Sequence, residues 1–253
     1  MLLVIDAGNS NITLGVYRDE ELLEQWRITT NPLGTVDEYG AQVRGLLERA
    51  KIPLGEIDAV IVASVVPALN DIIKTMLEVY LGPTPIFVDH TVDTGLTILY
   101  EPASAVGIDR IVDSVAGVAK YGKPCIVVDF GTATTFNAVN SKGEYIGGVI
   151  APGLKISAEA LFSRTAKLPR VEIKRPPKVI ATSTIEAMQS GLFYGYVSLV
   201  DGILERMIKE MGETPHVVAT GGLASLVADG SELIEVVDET LILEGLRLIY
   251  QRL

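Results

Sequence analysis

Histidine and cysteine are nearly missing from this chain. Among 253 residues there are two histidines and one cysteine, without the clustering expected of a zinc centre or a catalytic pair. His90 and His216 show no Cys/His clustering and are expected to be structural. Cys125 cannot close an internal disulfide; within the apolar run CIVVDFG it reads as a buried strand residue. Basic residues are also in deficit: 21 Lys and Arg against 32 Asp and Glu give a formal charge of −11. That balance argues against a surface devoted to nucleic-acid phosphates, while leaving room for a local pocket that binds a small anion. A single tryptophan, Trp26, is expected in the core. No long hydrophobic run occurs: Ala59 to Leu69 is interrupted by Ser64 and Pro67 and falls short of the roughly 20 residues of a membrane span. No basic-then-apolar signal segment precedes Leu2. The expectation is a soluble, cytoplasmic protein with neither a membrane nor a nucleic-acid partner. The phosphate-binding GxxxxGK[ST] and the hydrolase GxSxG are both absent.

What is present is an alternation of strand and helix patterns. Apolar residues make up 48% of the chain, enough for a sizeable core. Strand-like runs are LLVID, ITLGVY, LLEQWRIT, AVIVASVV, PIFVD, CIVVDF, TTFNAVN, EYIGGVI, HVVATG and LIEVV, bounded by Gly, Pro, Asn or Asp. Helical periodicity is expected over 38–50, 70–81, 108–121 and 240–253. The alternation gives an α/β class. A long helix is expected over 184–211, with Ser183 and Glu186 as a capping box. Gly191, Gly195, Ser198 and Gly202 fall on one of its faces. Such a stripe serves either close packing within the chain or a subunit interface.

The chain also repeats itself. VIDAGNSNITLGVYRDEEL set beneath VVDFGTATTFNAVNSKGEY matches Val4 with Val127, Asp6 with Asp129, Gly8 with Gly131 and Val16 with Val139, an offset of 123. Each copy reads apolar strand, Asp, one residue, Gly, polar turn, second strand. Turn N–H groups of this kind can cradle a phosphate, and the adjacent carboxylate can hold a cation, directly or through water. One such turn would be an ordinary β-turn; two in matching places favour a phosphate site. In GIDR, Asp109 and Arg110 fall in the first turn of a helix. Asp there suits the helix dipole, but Arg110 does not. Together they could accept a hydroxyl proton and grip a carboxylate. Gly147, Gly148 and Gly153, with Pro152, are expected to form a loop. Gly221 and Gly222, in ATGGLAS, suit either a simple strand-to-helix turn or a nucleotide lying against the backbone.

DAGNSN at 6–11, GIDR at 107–110, DFGTATT at 129–135, GGVIAPG at 147–153 and TGG at 220–222 resemble the type III pantothenate kinases, in family order and across nearly the whole chain. Asn137 departs from the pattern, since many relatives are expected to carry Asp there. The resemblance implies the fold of the actin, sugar-kinase and heat-shock ATPase superfamily. That fold has two similar ribonuclease-H-like halves, each a mixed sheet with flanking helices, and a nucleotide cleft between them. The halves are expected at 1–118 and 119–253. The resemblance further implies ATP-dependent phosphorylation of pantothenate to 4'-phosphopantothenate, the first step of coenzyme A synthesis. Asp109 would be the proton acceptor, with Tyr100, Gly107, Ile108, Asp109, Arg110 and Thr184 contacting pantothenate. Asp6, Ala7, Gly8, Asn9, Ser10, Asn11, Ile12, Thr13 and Thr132 would bind ATP, with Gly221 and Gly222. Asp129 would hold a monovalent cation, potassium or ammonium, and Asp6 the Mg²⁺ that accompanies ATP. Thr184 would act on the substrate of the neighbouring subunit in a homodimer. The competing readings are another small-molecule kinase or phosphatase of the same superfamily and a nucleotide-binding accessory regulator of transcription. GIDR weighs against the first and the acidic balance against the second.

Overall fold

The computed structural model describes residues 1–253. The chain divides into two compact units. Met1–Leu96, Tyr100–Ala116 and Ile242–Leu253 form the first; Thr97–Leu99 and Gly117–Leu241 form the second.

In the first unit, Val- and Ile-rich runs form β1 (Leu2–Ala7), β2 (Asn11–Arg18), β3 (Glu21–Thr29), β4 (Ala59–Ser64) and β5 (Ile86–Phe87). They lie in the order β3-β2-β1-β4-β5, with β2 antiparallel to β1 and β4 parallel to it. Helix α1 (Val36–Arg49) opens on a capping box in which Glu38 N–H donates to Thr35 Oγ1 and Thr35 N–H to Glu38 Oε2. Helix α2 (Pro67–Tyr80) begins on proline, whose missing N–H costs nothing at that position. The expected strand AVIVASVV therefore stops at Ser64. Tyr39, Val43 and Leu47 of α1 and Leu69, Ile73 and Leu77 of α2 close a core over Leu3, Ile5, Leu14 and Val62. Trp26 packs against this core and is only partly buried.

Helix α3 (Ile108–Tyr121) starts in the first unit and ends in the second. The C-terminal helix α7 (Leu241–Tyr250) packs in the first unit, although its sequence position lies in the expected half 119–253. A Cβ at Gly245 would stand 2.2 Å from Val112 O, so α3 and α7 cross backbone to backbone. A Cβ at Gly15 would meet Leu243 Cδ1 at 3.0 Å, which seats α7 against β2.

The second unit holds β6 (Thr97–Ile98), β7 (Cys125–Phe130), β8 (Ala133–Val139), β9 (Glu144–Pro152), β10 (His216–Thr220) and β11 (Val236–Val237), in the order β11-β10-β7-β8-β9-β6. Its β9-β8-β7-β10-β11 run repeats the strand order of the first sheet. The register is not quite the same: Asp6 faces Thr13, whereas Asp129 faces Thr135. The offset is thus 123 on the first strand and 122 on the second. Val16 therefore corresponds to Ala138 rather than to Val139, and the second hairpin turn is one residue shorter. Gly147 and Gly148 are not in a loop. They lie in β9 opposite Ala138 and Asn137, and a register shift follows at Val139, where Gly147 adopts φ +126°.

Helices α4 (Leu154–Ser163), α5 (Thr184–Met211) and α6 (Ala224–Ala228) complete this unit. Ser183 Oγ accepts from Glu186 N–H at 3.3 Å, but the return bond from the Ser183 N–H to the Glu186 side chain is not formed, so only half of the expected capping box is present; Gly212 ends α5 with φ +64°. Leu192, Phe193, Tyr196, Val197 and Val200 bury one face of α5 against Ile126, Val128 and Phe136. Cys125 lies fully buried, and desolvation pushes its thiol up to about 12. No helix is long and apolar enough to cross a membrane.

Candidate active site

The first turn is shaped by its own backbone and by the end of β3. Gly8 N–H donates to Asn11 O at 3.0 Å, Thr30 Oγ1 donates to Gly8 O at 2.6 Å, and Thr30 N–H donates to Ser10 O at 3.1 Å. With these carbonyls engaged inward, Asn9, Ser10 and Asn11 stand exposed. A Cβ at Gly8 would approach Asn11 O to 3.1 Å, so a side chain there would crowd the turn. Asp6 sits half-buried at the strand end, opposite Thr13. Ala7 and Ile12 point into the core at 0% and 3% exposure. Of the expected ATP contacts, these two can act only through their backbone. Thr30 carried no motif in the sequence, since its contact with Gly8 spans 22 residues.

Asp109 and Arg110 occupy the first turn of α3. Arg110 N–H donates to Asp109 Oδ1 at 2.8 Å and to Gly107 O at 3.1 Å. A Cβ at Gly107 would lie 2.5 Å from Asp109 Oδ1, so glycine makes room for the carboxylate. Desolvation raises the Asp109 pKa above the ordinary carboxylate value, against the lowering influence of the Arg110 N–H and guanidinium. Arg110 is 6% exposed, and Ser114 Oγ donates to its carbonyl at 2.7 Å. Ile108 is half-buried. Tyr100 is 38% exposed, ahead of a short 3₁₀ turn at Ala103–Ala105.

In the second unit the end of β10 meets Asp129, and the end of β9 meets the turn that follows it. The register partner of Asp129 on β10 is Thr220. The next residue, Gly221, has φ +92°, and a Cβ there would fall 2.4 Å from Asp129 Oδ1 and 2.8 Å from Phe130 N. A Cβ at Gly153 would collide with Thr132 O at 2.1 Å. Gly153 was conspicuous in the sequence but had no assigned role; it walls the Gly131–Thr132 turn. Thr132 and Gly222 are exposed. Asn137 is fully buried, its Oδ1 accepting from Tyr145 Oη at 3.2 Å, and its neutral amide puts no ionised group there. Thr184 is the first residue of α5 and, with Ser157, Leu161 and Met188, lines a pocket of about 540 Å³.

No group of three His, Cys, Asp or Glu side chains could by itself enclose a metal. Single carboxylates beside glycine-lined turns fit a different arrangement. A hard cation there would take one protein carboxylate and complete its shell with phosphate oxygens and water. His216 Nδ1 lies 3.0 Å from Glu235 Oε2 at the surface, apart from these groups.

A family model for type III pantothenate kinase matches residues 2–206. The type III pantothenate kinase of Citrifermentans bemidjiense is 53% identical over 252 residues, covering 100% of this chain and 99% of that protein. That of Koribacter versatilis is 51% identical over 262 residues, covering 100% and 96%. Among solved structures, component A of the (R)-2-hydroxyglutaryl-CoA dehydratase of Acidaminococcus fermentans superposes with a TM-score of 0.53 at 14% identity, covering 98% of this chain and 96% of that one. The ROK hexokinase of Thermus thermophilus does so with a TM-score of 0.50 at 13% identity, covering 99% of each. These two share the fold alone, a mixed α/β architecture.

Proposed function

The chain belongs to the type III pantothenate kinase family, and from that premise we propose that it transfers the γ-phosphoryl of ATP in line to the primary hydroxyl of pantothenate, with Asp109 as the base. Phosphorylation of pantothenate to 4'-phosphopantothenate opens coenzyme A biosynthesis. The observation that supports this role for Asp109 is its setting. Its carboxyl is fixed by the Arg110 N–H at 2.8 Å, given space by Gly107, and made more basic by desolvation. Oδ1 is pinned by that bond, and Oδ2 takes the hydroxyl proton. Arg110, nearly buried, offers the tip of its guanidinium to the substrate carboxylate, with Tyr100, Gly107 and Ile108 around the chain.

The exposed residues Asn9 to Asn11, with half-buried Asp6, Gly8 and Thr13, offer N–H and hydroxyl donors to phosphate oxygens; Ala7 and Ile12 contribute backbone only. Thr132 does the same from the second turn, and Gly221 and Gly222 give the nucleotide a flat backbone surface. Asp6 would hold Mg²⁺ and Asp129 a potassium or ammonium ion; such cations offset charge on the transferring phosphoryl group. Little covalent chemistry is left to the protein, so positioning and electrostatics carry most of the acceleration.

The active form is a homodimer in which Thr184 reaches the substrate of the neighbouring subunit. In support, a Cβ at Gly191 or Gly195 would meet nothing within 4 Å, so the glycine stripe of α5 is not used for packing within the chain. The enzyme acts in the cytoplasm. The test of the reaction is coupled ADP release with ATP, Mg²⁺ and pantothenate, with and without potassium. Pantothenate-dependent ADP that rises with potassium is the expected result; ADP release indifferent to pantothenate would defeat the reading.

A further inference from the structure

A tyrosine hydroxyl lies beneath the second phosphate turn. Tyr196 comes from the buried face of α5 and is 6% exposed. Its Oη is 3.0 Å from Pro152 O and 2.5 Å from Thr134 Oγ1. A carbonyl can only accept and a phenol has one proton, so Tyr196 donates to Pro152 and accepts from Thr134. Burial raises the phenol pKa, and the proton stays in place at any working pH.

Both partners bracket the turn. Thr134 faces Phe130 across the β7–β8 pair, next to Asp129. Pro152 faces Ala133 across β8–β9 and precedes Gly153, whose backbone lies against Thr132 O. One oxygen atom thus joins the start of β8, which carries the Gly131–Thr132 turn, to the end of β9, where Gly153 walls that turn. The ring itself packs against Phe130 at a centroid distance of 6.5 Å.

We propose that Tyr196 is a positioning residue for ATP binding: through its two hydrogen bonds, helix α5 fixes the ends of β8 and β9 that place Thr132. This rests on reading the second turn as a phosphate site. Tyr196 itself need not touch the nucleotide. Removing its hydroxyl would take this partner from a part-buried carbonyl and a buried threonine hydroxyl, and a small drift of the strand ends would misalign donors that must meet phosphate oxygens closely. The same helix begins at Thr184, so one element would serve both substrates.

The test compares full-length wild type with Tyr196→Phe, Thr134→Val and the double variant, and with Asp129→Asn as a reference for the turn. Phenylalanine keeps the ring in the core. Tyr196→Phe is expected to raise KM for ATP roughly tenfold while KM for pantothenate moves by less than about twofold. The double variant should be no worse than the poorer single one, because both remove the same bond. A purely structural tyrosine would lower the melting temperature and the active fraction with both KM values unchanged, and that outcome overturns the proposal. Equal rises in both KM values, or additive effects in the double variant, also overturn it. If Asp129→Asn leaves ATP affinity intact, the reading of the turn itself fails and the proposal with it. Weakened ATP binding in Asp129→Asn beside normal binding in Tyr196→Phe rejects the tyrosine alone.

Discussion

Asp109 gains its basicity from desolvation, and its alignment from a neighbour's backbone N–H and an absent side chain at Gly107. Three expectations follow at the level of single groups. Asp109→Asn should keep ATP affinity and lose about 10²- to 10⁴-fold in kcat, the usual worth of a positioned base. Because the folded-state pKa is raised, the working carboxylate is lost as pH falls through that raised value. The acid limb of kcat/KM for pantothenate should therefore bend above the ordinary carboxylate range, and the limb should vanish from the residual activity of Asp109→Asn. Gly107→Ala would push a methyl to 2.5 Å from Oδ1; it should lower kcat with KM for ATP unchanged, as steady-state kinetics would show. GIDR was legible in the sequence because its parts are contiguous and an arginine at a helix N-terminus is out of place there. Thr30 and Gly153 had no assigned role, because what they do depends on strands that meet only after folding.

Helix α5 illustrates what local sequence can specify. Its cap at Ser183 and its αL glycine at 212 set both ends where the pattern placed them. The pattern could not decide what its glycine face meets, and the structure leaves Gly191 and Gly195 facing open space within the chain. Gly195→Glu should therefore not disturb the protomer, and relief from a helical glycine adds about 1 kcal/mol of local stability. In sedimentation the variant should run as a monomer, with pantothenate-dependent turnover reduced; a persisting dimer would show that the interface lies elsewhere. Shorter elements escaped the periodicity argument. β6 has two residues and α6 five, too few for either period to register, and α4 buries only Leu154 among its ten positions.

At the scale of the molecule, the repeat in the sequence became a repeat in topology, strand order for strand order. One residue was lost at the second turn, which an alignment at constant offset hides. The terminal helix was the larger surprise, because linear order suggests that a chain's end belongs with what precedes it. Gly245→Val would drive a branched side chain into Val112 O, 2.2 Å from its Cβ. Overpacking of that kind costs about 1–3 kcal/mol, and the denaturant midpoint of the first unit should fall accordingly. The return of residues 242–253 to the first unit also bears on synthesis. On the ribosome the N-terminal sheet emerges early, yet the helix that covers β2 is made only after the second unit. The unit begun first is completed after the one that interrupts it, so the nascent chain must carry an uncovered sheet face until residues 242–253 emerge.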